Sequence, residues 1–250
     1  MIGHRGAAAL APENTLRAFR LAVEHGVDLV EFDVIALARG PLVVAHSDRL
    51  EEITHGAVHG RAQHLTLDGL RQLAPELPTL DDALSFFAVE ARDVGLHVDL
   101  KLTERLDELA GALGRHGVTA RTVVSSFHSP SLRAVARAEP RVRIGFTYPE
   151  DRFGVSRRPW LHPAVAAGLR AIRASVPRRL GGWLRRAGAS ALMLQHALVT
   201  PQAVERAHAM DAAVLAWTVD ATADVERVLA AGVDGIVSND PAKLLATLAA

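Results

Sequence analysis

Cysteine is absent from the 250 residues. That excludes a disulfide framework, a thiolate nucleophile and thiolate-bound zinc, leaving imidazole and carboxylate as metal ligands. Aromatic residues are scarce at 4%, and 28 Lys+Arg cancel 28 Asp+Glu. A nucleic-acid binder draws on excess cationic charge or exposed stacking rings, so nucleic acid is not an expected partner. No stretch reaches the roughly 18 uninterrupted apolar residues of a membrane span. The opening Met-Ile-Gly-His-Arg-Gly lacks the basic and apolar regions of a signal peptide, so a cytoplasmic location is expected. Lysine is nearly missing too: Lys101 and Lys243 stand against 26 Arg. Compositional drift would have placed an arginine at either position.

What is present is 49% hydrophobic residues, in short β-rich runs that alternate with Ala/Leu-rich helical stretches. Candidate strands are Met1–His4, Leu29–Ile35, Leu42–His46, Leu96–Lys101, Thr122–Ser125, Val142–Thr147, Ala191–Gln195, Val214–Val219 and Gly235–Ser238. With Leu42–His46 taken as a hairpin arm, eight remain. Eight strands alternating with helices over this length predict an α/β fold, a single-domain (β/α)8 TIM-type barrel over 1–250, with a doubly wound open sheet as the alternative. Loop insertions are expected at about 47–78 and 149–189. After the first strand, Pro12 and Glu13 read as the first turn of a helix carrying Leu16, Phe19 and Val23, with Gly26 as its stop. The 149–189 stretch carries nine Arg, Trp160 and Trp183. It reads as a solvated helix face rather than a membrane contact. Nothing in the pattern specifies an oligomeric state.

In Leu29-Val30-Glu31-Phe32-Asp33-Val34 the alternation puts Glu31 and Asp33 on one face and the apolar residues on the other. His97-Val98-Asp99-Leu100-Lys101 repeats the device, with Asp99 and Lys101 on one face and His97 one layer deeper. Carboxylates on the inner face of a barrel are costly without a counter-charge. A hard divalent cation, Mg²⁺ or Ca²⁺, could be held by Glu31, Asp33 and Asp99. His4 and His46 stand where strands end and are candidates for general acid and base, whereas His25, His55, His59, His64, His116 and His128 fall in polar loops or helix ends. Arg5 and Lys101 supply positive charge suited to a phosphate. Three carboxylates, a divalent cation, these two bases and a phosphodiester monoanion sum to zero.

These residues lie in a series of motifs: His4-Arg5-Gly6, Pro12-Glu13-Asn14-Thr15, Glu31-Phe32-Asp33-Val34, Val43 through Asp48, Pro78-Thr79-Leu80, Asp99-Leu100-Lys101, Ser125-Ser126-Phe127, Trp217 through Asp220, and Gly232 through Ser238. In order and spacing they resemble the glycerophosphodiester phosphodiesterase family along the whole chain. The resemblance implies a TIM-type barrel, a divalent cation, and hydrolysis of a small-molecule glycerophosphodiester to glycerol 3-phosphate and an alcohol. It places the catalytic histidines at His4 and His46 and the metal carboxylates at Glu31, Asp33 and Asp99, where the family usually has Glu for the last. It places substrate contacts at Arg5, Lys101 and Trp217, with Glu13 and Asn14 supporting them. Asp220 and Ser238-Asn239-Asp240 depart from the usual Asn and Thr-Asp. The carboxylate set also resembles that of phospholipase D-type toxins, which would imply lysophospholipids and a cyclic phosphate product. A catalytically silent barrel that binds glycerophosphodiesters is the non-enzyme alternative.

Overall fold

The structure is a computed structural model and describes residues 1–54, 56–150 and 162–249. His55 and Trp160 lie outside the described residues. Eight strands run parallel: β1 (Ile2–Gly3), β2 (Leu29–Ala36), β4 (Gly95–Leu100), β5 (Thr122–Ser126), β6 (Arg143–Tyr148), β7 (Ala191–Gln195), β8 (Ala213–Trp217) and β9 (Gly235–Ser238). β1 pairs with β2 on one side and β9 on the other, closing the barrel. The remaining strand, β3 (Leu42–Val44), runs antiparallel on β2 with Val34 opposite Val44.

The period-two pattern of β2 is realised. Val30, Phe32 and Val34 are fully buried under the helices, where Phe32 packs against Phe19 and Phe87 with ring centroids 5.4 and 5.8 Å apart. The opposite face looks into the barrel, whose interior is filled by Ile2, Ala191, Met193, Leu215 and Val237. Charge can therefore collect only above that apolar plug, at the C-terminal mouth.

Two expectations about the connections change. Residues 42–78 form the excursion, beginning with β3 rather than at Ser47, and carry α2 (Leu50–Ile53) and α3 (Leu67–Leu73) over a separate small core of Val43, Leu50, Leu70 and Leu77. The barrel helix α4 (Leu80–Val89) then starts from a capping box between Thr79 and Asp82. The 149–189 stretch is for the most part not an insertion. It contains α7 (His162–Ala187), which buries Val176, Leu180, Trp183 and Leu184 in the main core as the barrel helix between β6 and β7. Its arginines divide: Arg178, Arg185 and Arg186 are exposed, while Arg173 donates to the Val199 carbonyl at 3.1 Å. Among the described residues, no helix is long and apolar enough to cross a membrane.

The first helix also starts later than its sequence suggests. α1 (Leu16–Glu24) is capped by Thr15, whose hydroxyl accepts from the Ala18 N–H. Pro12 and Glu13 precede it in a turn that holds Asn14 at φ 59, a conformation asparagine tolerates. The turn delivers Asn14 to the barrel mouth. Gly6 has φ 86, and an added Cβ would lie 2.6 Å from the backbone carbon of Ala18. Gly6→Ala is therefore expected to cost about 2 to 4 kcal/mol from left-handed strain plus overpacking. Urea unfolding of the variant would measure it, and a loss within error of zero would remove the steric argument.

Candidate active site

The connection after β1 lays Arg5 across the end of β2. The Arg5 backbone N–H donates to Glu31 Oε2 at 2.8 Å, and its side chain spans Glu13 at 2.7 Å and Asp33 at 3.0 Å. Asn14 brackets Asp33, donating from Nδ2 to Oδ2 at 3.0 Å and accepting the Asp33 N–H at 3.1 Å. Glu13 and Asn14 thus act by holding Arg5 and Asp33 in place.

Strand register does the rest. Asp33 sits opposite Asp99, and Glu31 opposite His97. Glu31, Asp33 and Asp99 are all buried and place one oxygen each within 4.8 Å of the others. Lys101 bridges Asp33, at 3.0 Å, and Asp99, with its ammonium 5.5 Å from the Phe127 ring centre. Asp99 also accepts from the Ser125 hydroxyl at 2.6 Å. Because Ser125 spends its proton there, its 2.9 Å contact with His97 requires the imidazole to donate from Nε2. His97 Nδ1 is then a bare acceptor, buried and without a partner. Burial pushes His97 down to about 4, so it is neutral at pH 7.

Electrostatics set Asp33 and Glu31 apart. Burial works against the Asp33 charge, yet Lys101, Arg5 and His46 hold its carboxyl well below the usual carboxylate range. Burial, followed by Asp33 and Asp99, drives Glu31 well above that range. Three acids against two bases leave one negative charge unmatched, and Glu31 carries the strain. An unmatched buried carboxylate within an oxygen-rich cluster fits a hard divalent cation. Glu31, Asp33 and Asp99 are the residues that would hold it.

The two histidines arrive from different directions. His4 contacts Asn239 Oδ1 through Nδ1 at 2.6 Å. The amide is locked by Asp220, which accepts from Asn239 Nδ2 at 2.6 Å and from its backbone N–H at 2.9 Å. An amide oxygen only accepts, so the proton is on His4 Nδ1 and Nε2 is bare, 4.0 Å from Glu31. Burial, then Arg5, lowers His4 to about 4. His46, just past β3, contacts Glu52 on α2 through Nδ1 at 2.9 Å.

One cavity at the barrel mouth is lined by His4, Arg5, Glu31, Asp33, His46, Asp99, Lys101 and Trp217 together. All of the residues picked out for chemistry thus meet there, with Glu13 and Asn14 just behind. Trp217 ends β8, meets Phe127 edge-on at 6.3 Å, and keeps a buried indole N–H with no partner. Sequence reading did not single out Glu52, or the role of Asn239 and Asp220. Their partners are 6, 235 and 19 residues away, with no periodicity connecting them.

Buried carboxylates, fixed cations and two imidazoles thus share the C-terminal mouth of a (β/α)8 barrel, the face on which such barrels carry their active sites. A family model, the glycerophosphoryl diester phosphodiesterase family, matches residues 4–243. The chain is 30% identical to a glycerophosphodiester phosphodiesterase of Caldanaerobacter subterraneus subsp. tengcongensis, over 98% of this chain and 96% of that protein. Among solved structures, the Oleispira antarctica phosphodiesterase OLEI02445, in complex with the product sn-glycerol-3-phosphate, superposes with TM-score 0.75 at 23% identity, covering 100% of this chain and 96% of that one. The glycerophosphodiester phosphodiesterase from Thermotoga maritima gives TM-score 0.74 at 21% identity, covering 99% and 96%. The chain belongs to the glycerophosphoryl diester phosphodiesterase family and is an enzyme of that activity.

Proposed function

We propose that the protein cleaves glycerophosphodiesters with His4 as general base and His46 as general acid, using a divalent cation at Glu31, Asp33 and Asp99. The observation that carries this reading is the meeting of both histidines with the carboxylates, Arg5 and Lys101 in one cavity. The product held by the Oleispira antarctica relative is glycerol 3-phosphate, and the same product is proposed here.

The cation, Mg²⁺ or Ca²⁺, would supply Lewis-acid stabilisation of phosphoryl charge. Arg5 and Lys101 are fixed in place by Glu13, Asp33 and Asp99, so they meet charge on the non-bridging oxygens without reorganising. Neutral His4, with its lone pair on Nε2, takes the proton of the glycerol 2-hydroxyl as that oxygen attacks phosphorus. His46, its Nδ1–H held by Glu52, gives a proton carried on Nε2 to the departing alcohol oxygen and is left as the neutral imidazole. The resulting cyclic phosphate is hydrolysed with the roles reversed. An internal nucleophile gains from proximity, and Trp217 lines the mouth beside the substrate.

Phosphorus NMR on a panel of glycerophosphodiesters and lysophospholipids, with Mg²⁺, Ca²⁺ or chelator, tests this reading. Glycerol 3-phosphate should accumulate only with cation. A cyclic phosphate as the end product from lysophospholipids would favour phospholipase D-like action, and binding without turnover a silent barrel.

Lys101 gives a further prediction. Lys101→Met should lower kcat/KM at least tenfold by removing a fixed cation, while Lys243→Met, on the exposed start of α10 (Pro241–Leu248), should stay within about twofold. Steady-state kinetics with one substrate check it. Equal rates would remove Lys101 from the charge balance.

A further inference from the structure

The loops that follow β8 and β9 meet beside His4. Asp220, on the loop after β8, is exposed, and Asn239 directly follows β9. Asp220 Oδ1 accepts from the Asn239 backbone N–H and from the Ser238 hydroxyl, both at 2.9 Å. Asp220 Oδ2 accepts from Asn239 Nδ2 at 2.6 Å. On the far side of that amide, Asn239 Oδ1 is 2.6 Å from His4 Nδ1. A neutral amide thus stands between a surface carboxylate and the imidazole at the barrel mouth.

We infer that Asp220 is a positioning residue for catalysis: it fixes the orientation of the Asn239 amide and, through it, the tautomer of His4. The inference rests on the reading that His4 accepts a proton at Nε2. Burial and Arg5 lower His4 to about 4, so the ring is neutral at pH 7 and has one proton to place. On Nδ1 that proton leaves Nε2 free to accept; on Nε2 it blocks the base. Asn239 by itself does not decide between them, because its amide can turn over and present either oxygen or nitrogen. A carboxylate only accepts. Facing Asp220 Oδ2, the amide must turn its nitrogen there and its oxygen to His4, and His4 Nδ1 then carries the proton. Asp220 imposes this from the surface, where its charge stays hydrated.

The same rule sets an order among variants. In Asp220→Asn the Asn239 backbone N–H is a fixed donor, so the new amide keeps its oxygen where Oδ1 was and puts its nitrogen where Oδ2 was. Two donor groups would then face each other, and Asn239 turns over. It presents nitrogen to His4, whose proton moves to Nε2. Asp220→Ala imposes nothing, because water in that place can donate or accept. The isosteric change should therefore do more harm than the truncation, the reverse of what a packing role predicts. Adding Asn239→Asp to Asp220→Asn should undo the harm, since a carboxylate at 239 accepts both from the new amide and from His4 Nδ1.

Nitrogen NMR of the intact protein, labelled at its histidine ring nitrogens, reads the tautomer without turnover, with the His4 signals assigned by their loss in His4→Ala. The proton should sit on Nδ1 in the wild type, on Nε2 in Asp220→Asn, and on Nδ1 again in Asp220→Asn with Asn239→Asp. Rates are measured on the methyl ester of glycerol 3-phosphate with saturating Mg²⁺ or Ca²⁺, whichever supports wild-type turnover. Asp220→Asn should lower kcat roughly tenfold or more with KM within about twofold, as loss of a proton acceptor requires. Asp220→Ala should lose less, and the double variant should return to within about threefold of the wild type. A His4 proton that stays on Nδ1 in Asp220→Asn, or a greater loss in Asp220→Ala than in Asp220→Asn, would overturn the inference. A tautomer that moves while kcat does not would instead bring down His4 as the base, and with it the catalytic role of Asp220.

Discussion

His4→Ala and His46→Ala should each lower kcat by roughly 100-fold or more, because a positioned proton donor or acceptor typically contributes about 10² to 10⁴. The two variants should differ in what restores them. His4 acts on the attacking hydroxyl, so its loss persists whatever the alcohol. His46 acts on the departing oxygen, so a nitrophenol ester, whose leaving group needs no proton, should recover much of the rate in His46→Ala and little in His4→Ala. His116→Ala is the control: that residue ends α5 (Leu106–Arg115) through its backbone N–H, and its imidazole pairs with Asp81 at 2.9 Å, away from the barrel mouth. A near-wild-type rate in either site variant would remove that histidine from the mechanism. Equal recovery with the activated ester would reverse or dissolve the division of roles.

That division illustrates what the sequence exposes and what it withholds. Glu31, Asp33 and Asp99 were legible because strand alternation is a local rule. Two carboxylates spaced by two must share a face, and Val30, Phe32 and Val34 decide which face is dry. The barrel was legible for the same reason, since each βα unit carries its own pattern. The support of the histidines was not. Asn239 reaches His4 because β1 and β9 are neighbours in the closed barrel, and closure is a property of the whole chain. Glu52 reaches His46 because α2 folds back over β3, a contact set by the small core of the excursion. The turn at Pro12–Asn14 reads as helix for a related reason. Proline and an acid suit a first helical turn, but Asn14 is drawn out of helical geometry by its two hydrogen bonds to Asp33. The connection 149–189 reads as an insertion because its arginines obscure the stripe of Val176, Leu180, Trp183 and Leu184 that α7 buries.

Removal of divalent cations should abolish turnover, and Mg²⁺ or Ca²⁺ should restore it, with an affinity that rises steeply with pH. The sign follows from Glu31. Burial and its two carboxylate neighbours raise its pKa, so over the range between an ordinary glutamate value and that raised value Glu31 holds a proton in the cation-free protein. A cation must displace it. Below the raised pKa the apparent association constant should therefore climb up to tenfold per pH unit, one proton being released for each cation bound, and level off above it. Asp33, held ionised by Lys101, Arg5 and His46, adds no such slope. Titration calorimetry in two buffers of different ionisation enthalpy counts the released proton without reference to activity. Glu31→Gln should lose the pH dependence together with most of the affinity. Asp99→Asn should weaken binding and Asp99→Glu should weaken it less, because the Asp99 carboxylate already lies within 4.8 Å of the other two. Full activity after exhaustive chelation, with metal analysis showing an empty protein, would refute the carboxylate site. A pH-independent affinity would mean that Glu31 is not among the ligands.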